Sequence, residues 1–142
     1  MKPEDDLEKF LIAQTQDYSG ALEEIRKGRK QGHWIWYIFP QVLGLGMSST
    51  SVFYAIESID QANRYAHHPI LGKRLIEISN AILAIQGKTA NQILGSPDDL
   101  KLRSSMSLFS LVENADPVFQ AVLDKYFGGI PDQKTIDIVN NS

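Results

Sequence analysis

Apolar residues along this chain recur mostly at three- and four-residue steps. Leu7, Phe10 and Leu11 give one face of a short helix, with Asp5 and Asp6 where the helix dipole favours negative charge. Tyr18, Ala21, Leu22 and Ile25 repeat that face, with Glu23, Glu24, Arg26 and Lys27 outside it and Gly28 as the stop. Leu71, Leu75, Ile78, Ile82 and Ile85 form the clearest helical seam, with Pro69 in the first turn and Gly87 at the end. A short element over Thr89–Leu94 follows. Ser96-Pro97-Asp98-Asp99 offers a cap hydroxyl, a first-turn proline and first-turn acid. The helix behind it carries Leu100, Leu102, Met106, Leu108, Phe109, Leu111 and Val112, which point in nearly all directions and predict a central, buried helix. Asp116-Pro117 starts another, with Val118, Phe119, Val122, Leu123 and Tyr126 inside and Gly128 as the stop; a last short helix spans Thr135–Val139.

No period-two alternation persists and no Asn-Gly or Asp-Gly turn occurs. The run Trp34–Phe39 has strand composition but no partner strand. The fold class is therefore all-α: a compact, single-domain multi-helix bundle over residues 1–142. The composition agrees, with 43% hydrophobic and 22% charged residues, which excludes disordered and supercharged classes. The formal charge of −3 argues against a surface that grips nucleic acid throughout. With no cysteine, thiol nucleophiles and zinc–thiolate sites are excluded. No apolar run approaches the ~18 residues of a membrane span, and no targeting segment is read at the start, so the expectation is a cytoplasmic protein with no membrane partner.

Candidate chemistry falls in two patches. The segment from His33 to Gln41 holds both tryptophans, Trp34 and Trp36, with Tyr37 and Phe39, and follows a basic stretch of Arg26, Lys27, Arg29 and Lys30. Cations beside aromatics suit phosphates and stacked rings; the alternative is an aromatic core anchor beside a solvated helix end. In the second patch, Lys101 and Ser105 share a helix face at i, i+4, as do Asp99 and Arg103. Lys101, Arg103, Ser104 and Ser105 suit an anion; the alternative is close helix packing with surface ion pairs. The pattern Gly44-Leu45-Gly46 lacks the ending of a phosphate loop and reads as a turn, with Ser49 or Ser51 capping the next helix. Adjacent His67 and His68 diverge on a helix, so no metal site is expected, and His68 reads as a helix cap. No catalytic residue, cofactor or reaction is assigned.

Four motifs in order resemble one family: Gly32 to Gln41 with Gly44-Leu45-Gly46; His68 to Leu75; Ile93 to Asp99 with Lys101 to Met106; and Asp132 to Thr135. Over roughly residues 6–137 the chain resembles the domain-of-unknown-function family 1810. Ser107 departs from the threonine usual there, and keeps the hydroxyl. The resemblance implies a small all-helical protein and no established reaction. Members are often labelled calpastatin, a label that does not fit: such an inhibitor is long, repetitive and disordered, and this chain has no repeats and a clear core pattern.

The shared motifs coincide with the two chemical patches and add His68 and Arg74. The candidate ligand-binding set is therefore His33, Trp34, Trp36, Gln41, His68, Arg74, Lys101, Arg103, Ser104 and Ser105. The leading expectation is a pocket for a phosphorylated or nucleotide-like anion, with tryptophan stacking and Lys101 and Arg103 on the charge. Two others stand beside it: an interaction module, such as a homodimer through an aromatic patch, and single-stranded nucleic-acid binding, which the acidic balance disfavours.

Overall fold

Helical periodicity carries through to nine helices in a computed structural model that describes residues 6–141. They are α1 (Glu8–Arg26), α2 (Ile35–Ile38), α3 (Ser49–Phe53), α4 (Ile59–Ala66), α5 (Leu71–Leu83), α6 (Ala90–Leu94), α7 (Asp98–Phe109), α8 (Pro117–Phe127) and α9 (Gln133–Asn140). Among the described residues there is no strand; one isolated parallel bridge, Val42 to Ile56, closes the excursion that carries α3.

Helices α1, α5, α7 and α8 enclose the core. A chain of rings runs through it: Phe10 lies edge-on to Tyr65 at 5.1 Å, Tyr65 meets Phe109 at 5.3 Å, and Phe109 meets Phe119 at 5.9 Å. These pairs link α1, α4, α7 and α8, each adding about 0.5–1.5 kcal/mol beyond buried area. Helix α7 is central, with Leu102 and every residue from Ser104 to Phe109 buried. At the α4–α5 corner Gly72 is required by space. A Cβ there would sit 2.0 Å from the Ala66 carbonyl oxygen, so only glycine lets the two backbones touch.

The elements differ from the sequence pattern in informative places. The faces at 7–11 and 18–25 belong to one helix, α1, that runs through Gly20. A helical glycine costs about 1 kcal/mol, and the six buried residues of α1 outweigh that. Asp5 lies outside the described residues. Asp6 does not cap α1: its carboxylate bonds Arg64 at 2.7 Å, tying the start of the chain to α4. Trp34–Phe39 is no strand but contains the helix α2, with Ile35 and Ile38 buried together on one side. Ser48, rather than Ser49 or Ser51, caps α3, accepting from the Ser51 N–H. Helix α4 has no counterpart in the sequence reading. It starts at Ser58, which accepts from the Gln61 N–H, and buries Gln61, Ala62 and Tyr65. Helix α5 stops at Leu83, before Ile85, and Pro69 precedes it rather than lying in its first turn. Lys125 of α8 donates to the freed Leu83 carbonyl at 2.6 Å. Ser96 makes no cap bond, and Pro97 holds the cap position of α7. Asp132 caps α9, which extends to Asn140.

Candidate functional site

The loop after α1 folds around a carboxylate. Glu24 Oε1 accepts from the Gln31 N–H (2.7 Å), the Gly32 N–H (2.9 Å) and the Trp34 indole Nε1–H (2.9 Å). Burial pushes this carboxyl up, but those three donors and the nearby Lys30 charge outweigh it, and its pKa falls below the ordinary value. The cradle fixes the entry to α2 and commits the Trp34 indole N–H. Trp34 itself is 3% exposed.

Lys30 leaves the same loop and joins it to α7. Its ammonium pairs with Asp98 at 2.8 Å and lies 5.2 Å from the Trp34 ring centre. Lys101 approaches Asp98 from within α7, at a looser 3.6 Å, and lies 5.0 Å from the Trp36 ring centre. Two lysines, each beside a tryptophan, thus converge on one carboxylate. The aromatic segment and the Lys101 helix meet here, through Trp36 and Lys101.

Three polar groups at this junction lack hydrogen-bond partners. Trp36 Nε1 and Ser105 Oγ are buried and make no bond among the described residues. The Lys101 ammonium has only the 3.6 Å ion pair, beyond hydrogen-bond reach. Ser105 is one turn beyond Lys101 on the same face of α7, and the Trp36 ring lies beside the Lys101 ammonium, so Lys101 is the residue common to the three unmet groups.

The other candidates are placed elsewhere. Arg103 does not share the Lys101 surface, because residues two apart on a helix point about 200° apart. Its guanidinium donates to the carbonyls of Ile130 (2.9 Å) and Pro131 (3.2 Å) and fastens the approach to α9. Asp99 does not pair with Arg103; it faces the Asn91 amide at 3.4 Å. Ser104 bonds back to the Leu100 carbonyl at 3.1 Å. His68 Nδ1 accepts from the N–H groups of Ile70 and Leu71 at 3.1 and 3.2 Å, capping α5. His33 is exposed, and its carbonyl faces the Tyr37 hydroxyl at 3.4 Å. The Gln41 carbonyl accepts from the Ile56 N–H. Arg74 donates to Gln14 at 3.4 Å and lies over the Tyr18 ring.

Sequence reasoning missed a second polar seam, on α1. Tyr18 donates to Glu77 Oε1 at 2.5 Å, Tyr37 donates to Asp17, and buried Gln14 donates to Tyr65 at 3.0 Å. Burial first, and then the facing carboxylates, hold the Tyr18 and Tyr37 phenols above the ordinary tyrosine value. It also missed Glu24 and Asp98 as members of the junction. The spacing of Asp98 to Lys101 is a helical pair, the one signal that was available. Clefts of about 440 Å³, beside Arg26, Glu77 and Asn80, and about 410 Å³, beside Glu24, Arg29 and Gln31, open along α1. Neither is lined by Trp36 or Lys101. Among the described residues no cluster of histidine and acid side chains is placed to hold a metal.

Fold and junction together define a small all-helical protein with one mixed aromatic and basic seam. The chain belongs to the family described as protein of unknown function (DUF1810), whose model matches residues 4–139. It is similar to the conserved hypothetical protein Rv1873 from Mycobacterium tuberculosis, solved by crystallography, at 44% identity over 95% of this chain and 96% of that one, with a TM-score of 0.93. No curated protein matches it. No described helix is long and apolar enough to cross a membrane.

Proposed function

We propose that this protein binds a small anionic molecule at the α2–α7 junction, through the ligand's oxygen atoms. One observation carries this reading: Lys101 has the Trp36 ring beside its ammonium and Ser105 one turn along its face of α7, and Lys101 Nζ, Trp36 Nε1 and Ser105 Oγ all lack a hydrogen-bond acceptor among the described residues. Leaving a buried polar group unpaired costs about 1–3 kcal/mol. A carboxylate or phosphoryl group would satisfy all three. Arg103 and His68 are committed to backbone groups, so the anion falls to Lys101.

The test is a thermal-shift screen with carboxylates, sugar phosphates and nucleotides. A ligand at a hundred times its Kd adds about 2.7 kcal/mol, several degrees in Tm. Lys101→Ala should abolish that gain. A flat screen on folded protein, or a gain that Lys101→Ala retains, would end the reading.

A second reading, an interaction module, rests on α3 rather than on the tryptophans. Met47, Val52 and Phe53 are 91%, 50% and 55% exposed, close to one another in the chain. Exposed apolar clusters mark contact surfaces. Light scattering tests it: a dimer in the parent that Phe53→Glu dissociates supports it, and a strict monomer weakens it.

A further inference from the structure

Granting an anion at the α2–α7 junction, we propose that its binding group is a compact monoanion, a carboxylate, and that Asp98 competes with it for Lys101. The inference rests on the reading above and narrows its ligand.

The tryptophans offer a nucleobase little to stack on at this seam, because Trp34 is buried and the half-buried Trp36 has a cation beside its ring. Trp34 is 3% exposed and its indole N–H is held by Glu24. Trp36 already has the Lys101 ammonium 5.0 Å from its ring centre. The unmet groups are hydrogen-bond donors, which an oxyanion satisfies and a ring face does not.

Charge limits that oxyanion further. Lys30 and Lys101 face Asp98, and Glu24 lies close enough to Lys30 to feel its charge. These four groups balance before any ligand arrives. A monoanion adds one negative charge among them; a phosphate dianion adds two, in a partly buried setting where each weighs more than in water.

The two ion pairs of Asp98 are unequal. Lys30 is held at 2.8 Å with its side chain 8% exposed, whereas Lys101 stands at 3.6 Å with its side chain 21% exposed. Lys30 is therefore the fixed partner and Lys101 the exchangeable one. A carboxylate that meets Lys101, the Trp36 N–H and the Ser105 hydroxyl would replace a pairing that is already loose. It would do so against the repulsion of Asp98.

The indole N–H resonances of a ¹⁵N-labelled sample report on this directly, because Trp34 and Trp36 are the two tryptophans. Titration at about pH 8.5, where inorganic phosphate is almost entirely the dianion, uses sodium acetate, sodium phosphate and, at matched ionic strength, sodium chloride. Acetate should shift the Trp36 signal saturably and leave the Glu24-bonded Trp34 signal in place. Acetate should also bind more tightly than phosphate, and Asp98→Asn should tighten acetate about tenfold.

Phosphate binding as tightly as acetate would overturn the monoanion restriction. Unchanged or weaker acetate binding in folded Asp98→Asn would overturn the competition. If Asp98→Asn does not fold, the acetate–phosphate comparison on the parent chain still decides the ligand class. Lys101→Gln, which keeps the stem of the side chain, should then lose acetate at least tenfold. No saturable Trp36 shift with any anion, or acetate affinity unchanged in Lys101→Gln, would instead remove the junction reading itself.

Discussion

Ser105→Ala is the perturbation that separates a binding seam from ordinary packing. Ser105 is fully buried in α7, and its hydroxyl has no partner. Removing an unpaired buried hydroxyl returns about 1–3 kcal/mol. Alanine is also the better helix former, by ~0.5 kcal/mol. Against these stands a void the size of one oxygen, a few tenths of a kcal/mol at about 24 cal/mol per Å³. The balance is a gain of about 1–3 kcal/mol, or a Tm rise of about 3–10 °C for a chain of this size.

Two neighbouring serines supply the controls. Ser104 Oγ bonds only to the Leu100 carbonyl, one turn back. Ser104→Ala should stay within about 0.5 kcal/mol of the parent, since that bond competes with the helix rather than adding to it. Ser107 Oγ accepts the Asp132 N–H at 2.8 Å and donates to the Arg103 carbonyl. Ser107→Ala should cost about 1–2 kcal/mol, because it strands an N–H at the start of α9. Urea denaturation read by far-UV circular dichroism, with equal m-values across the series, gives all three numbers. A loss above ~1 kcal/mol in Ser105→Ala would show that its hydroxyl is satisfied in solution, and the argument that this hydroxyl is left unpaired for a ligand would fall with it.

Trp36→Phe removes an unpaired N–H and keeps a ring beside Lys101. Stability should stay within about 1 kcal/mol of the parent while anion binding, measured by calorimetry, falls about tenfold or more; a much larger loss of stability would mean that the N–H is already bonded. Gly72→Ala places a Cβ 2.0 Å from the Ala66 carbonyl oxygen, and should cost about 2–3 kcal/mol in denaturation midpoint despite alanine's helix preference. A neutral result would refute the close α4–α5 contact. The Glu24 carboxyl titrates below its ordinary value of 4.5 in the folded chain, so the stability it lends is fully present above that value and is lost as pH falls through the folded pKa. Glu24→Gln should therefore be less stable than the parent at neutral pH, with the difference narrowing in acid; a constant difference between pH 3 and pH 7 would contradict this.

Much of the fold was legible because burial follows the helical period. The seam of α5 and the buried girth of α7 needed only the spacing of their apolar residues. Asp116 before Pro117 marked α8, whose cap accepts the Val118 N–H. Helix α4 was illegible for a physical reason. Ala62 and Tyr65 are its apolar anchors, and Gln61 is buried beside them through hydrogen bonds rather than hydrophobicity. Helix α2 misled through composition: β-branched and aromatic residues favour strands only where a partner exists, and here the core takes them from one side. At the site, residue type pointed to the right helix but not to each partner. The acceptors of Arg103 are carbonyls 27 and 28 residues further along, and no local spacing reports such a contact.

That division bears on what the motifs are for. Arg103 and His68 look like ligand-binding types in the sequence, yet in the fold each satisfies backbone groups of its own chain. Their selection is explained without a ligand. Trp36 and Ser105 are the reverse: phenylalanine and alanine would keep an apolar group there without a buried unpaired one, so hydrogen bonding within the fold does not account for their polar atoms. Lys101 lies between the two cases, with a carboxylate nearby but out of bonding reach. A chain under selection for stability alone would shed the first two polar atoms and tighten the third contact. Their presence beside and one turn from Lys101, while Arg103 and His68 are spent on backbone groups, is the physical reason to look for the ligand at Lys101 rather than at the more conspicuous arginines and histidines.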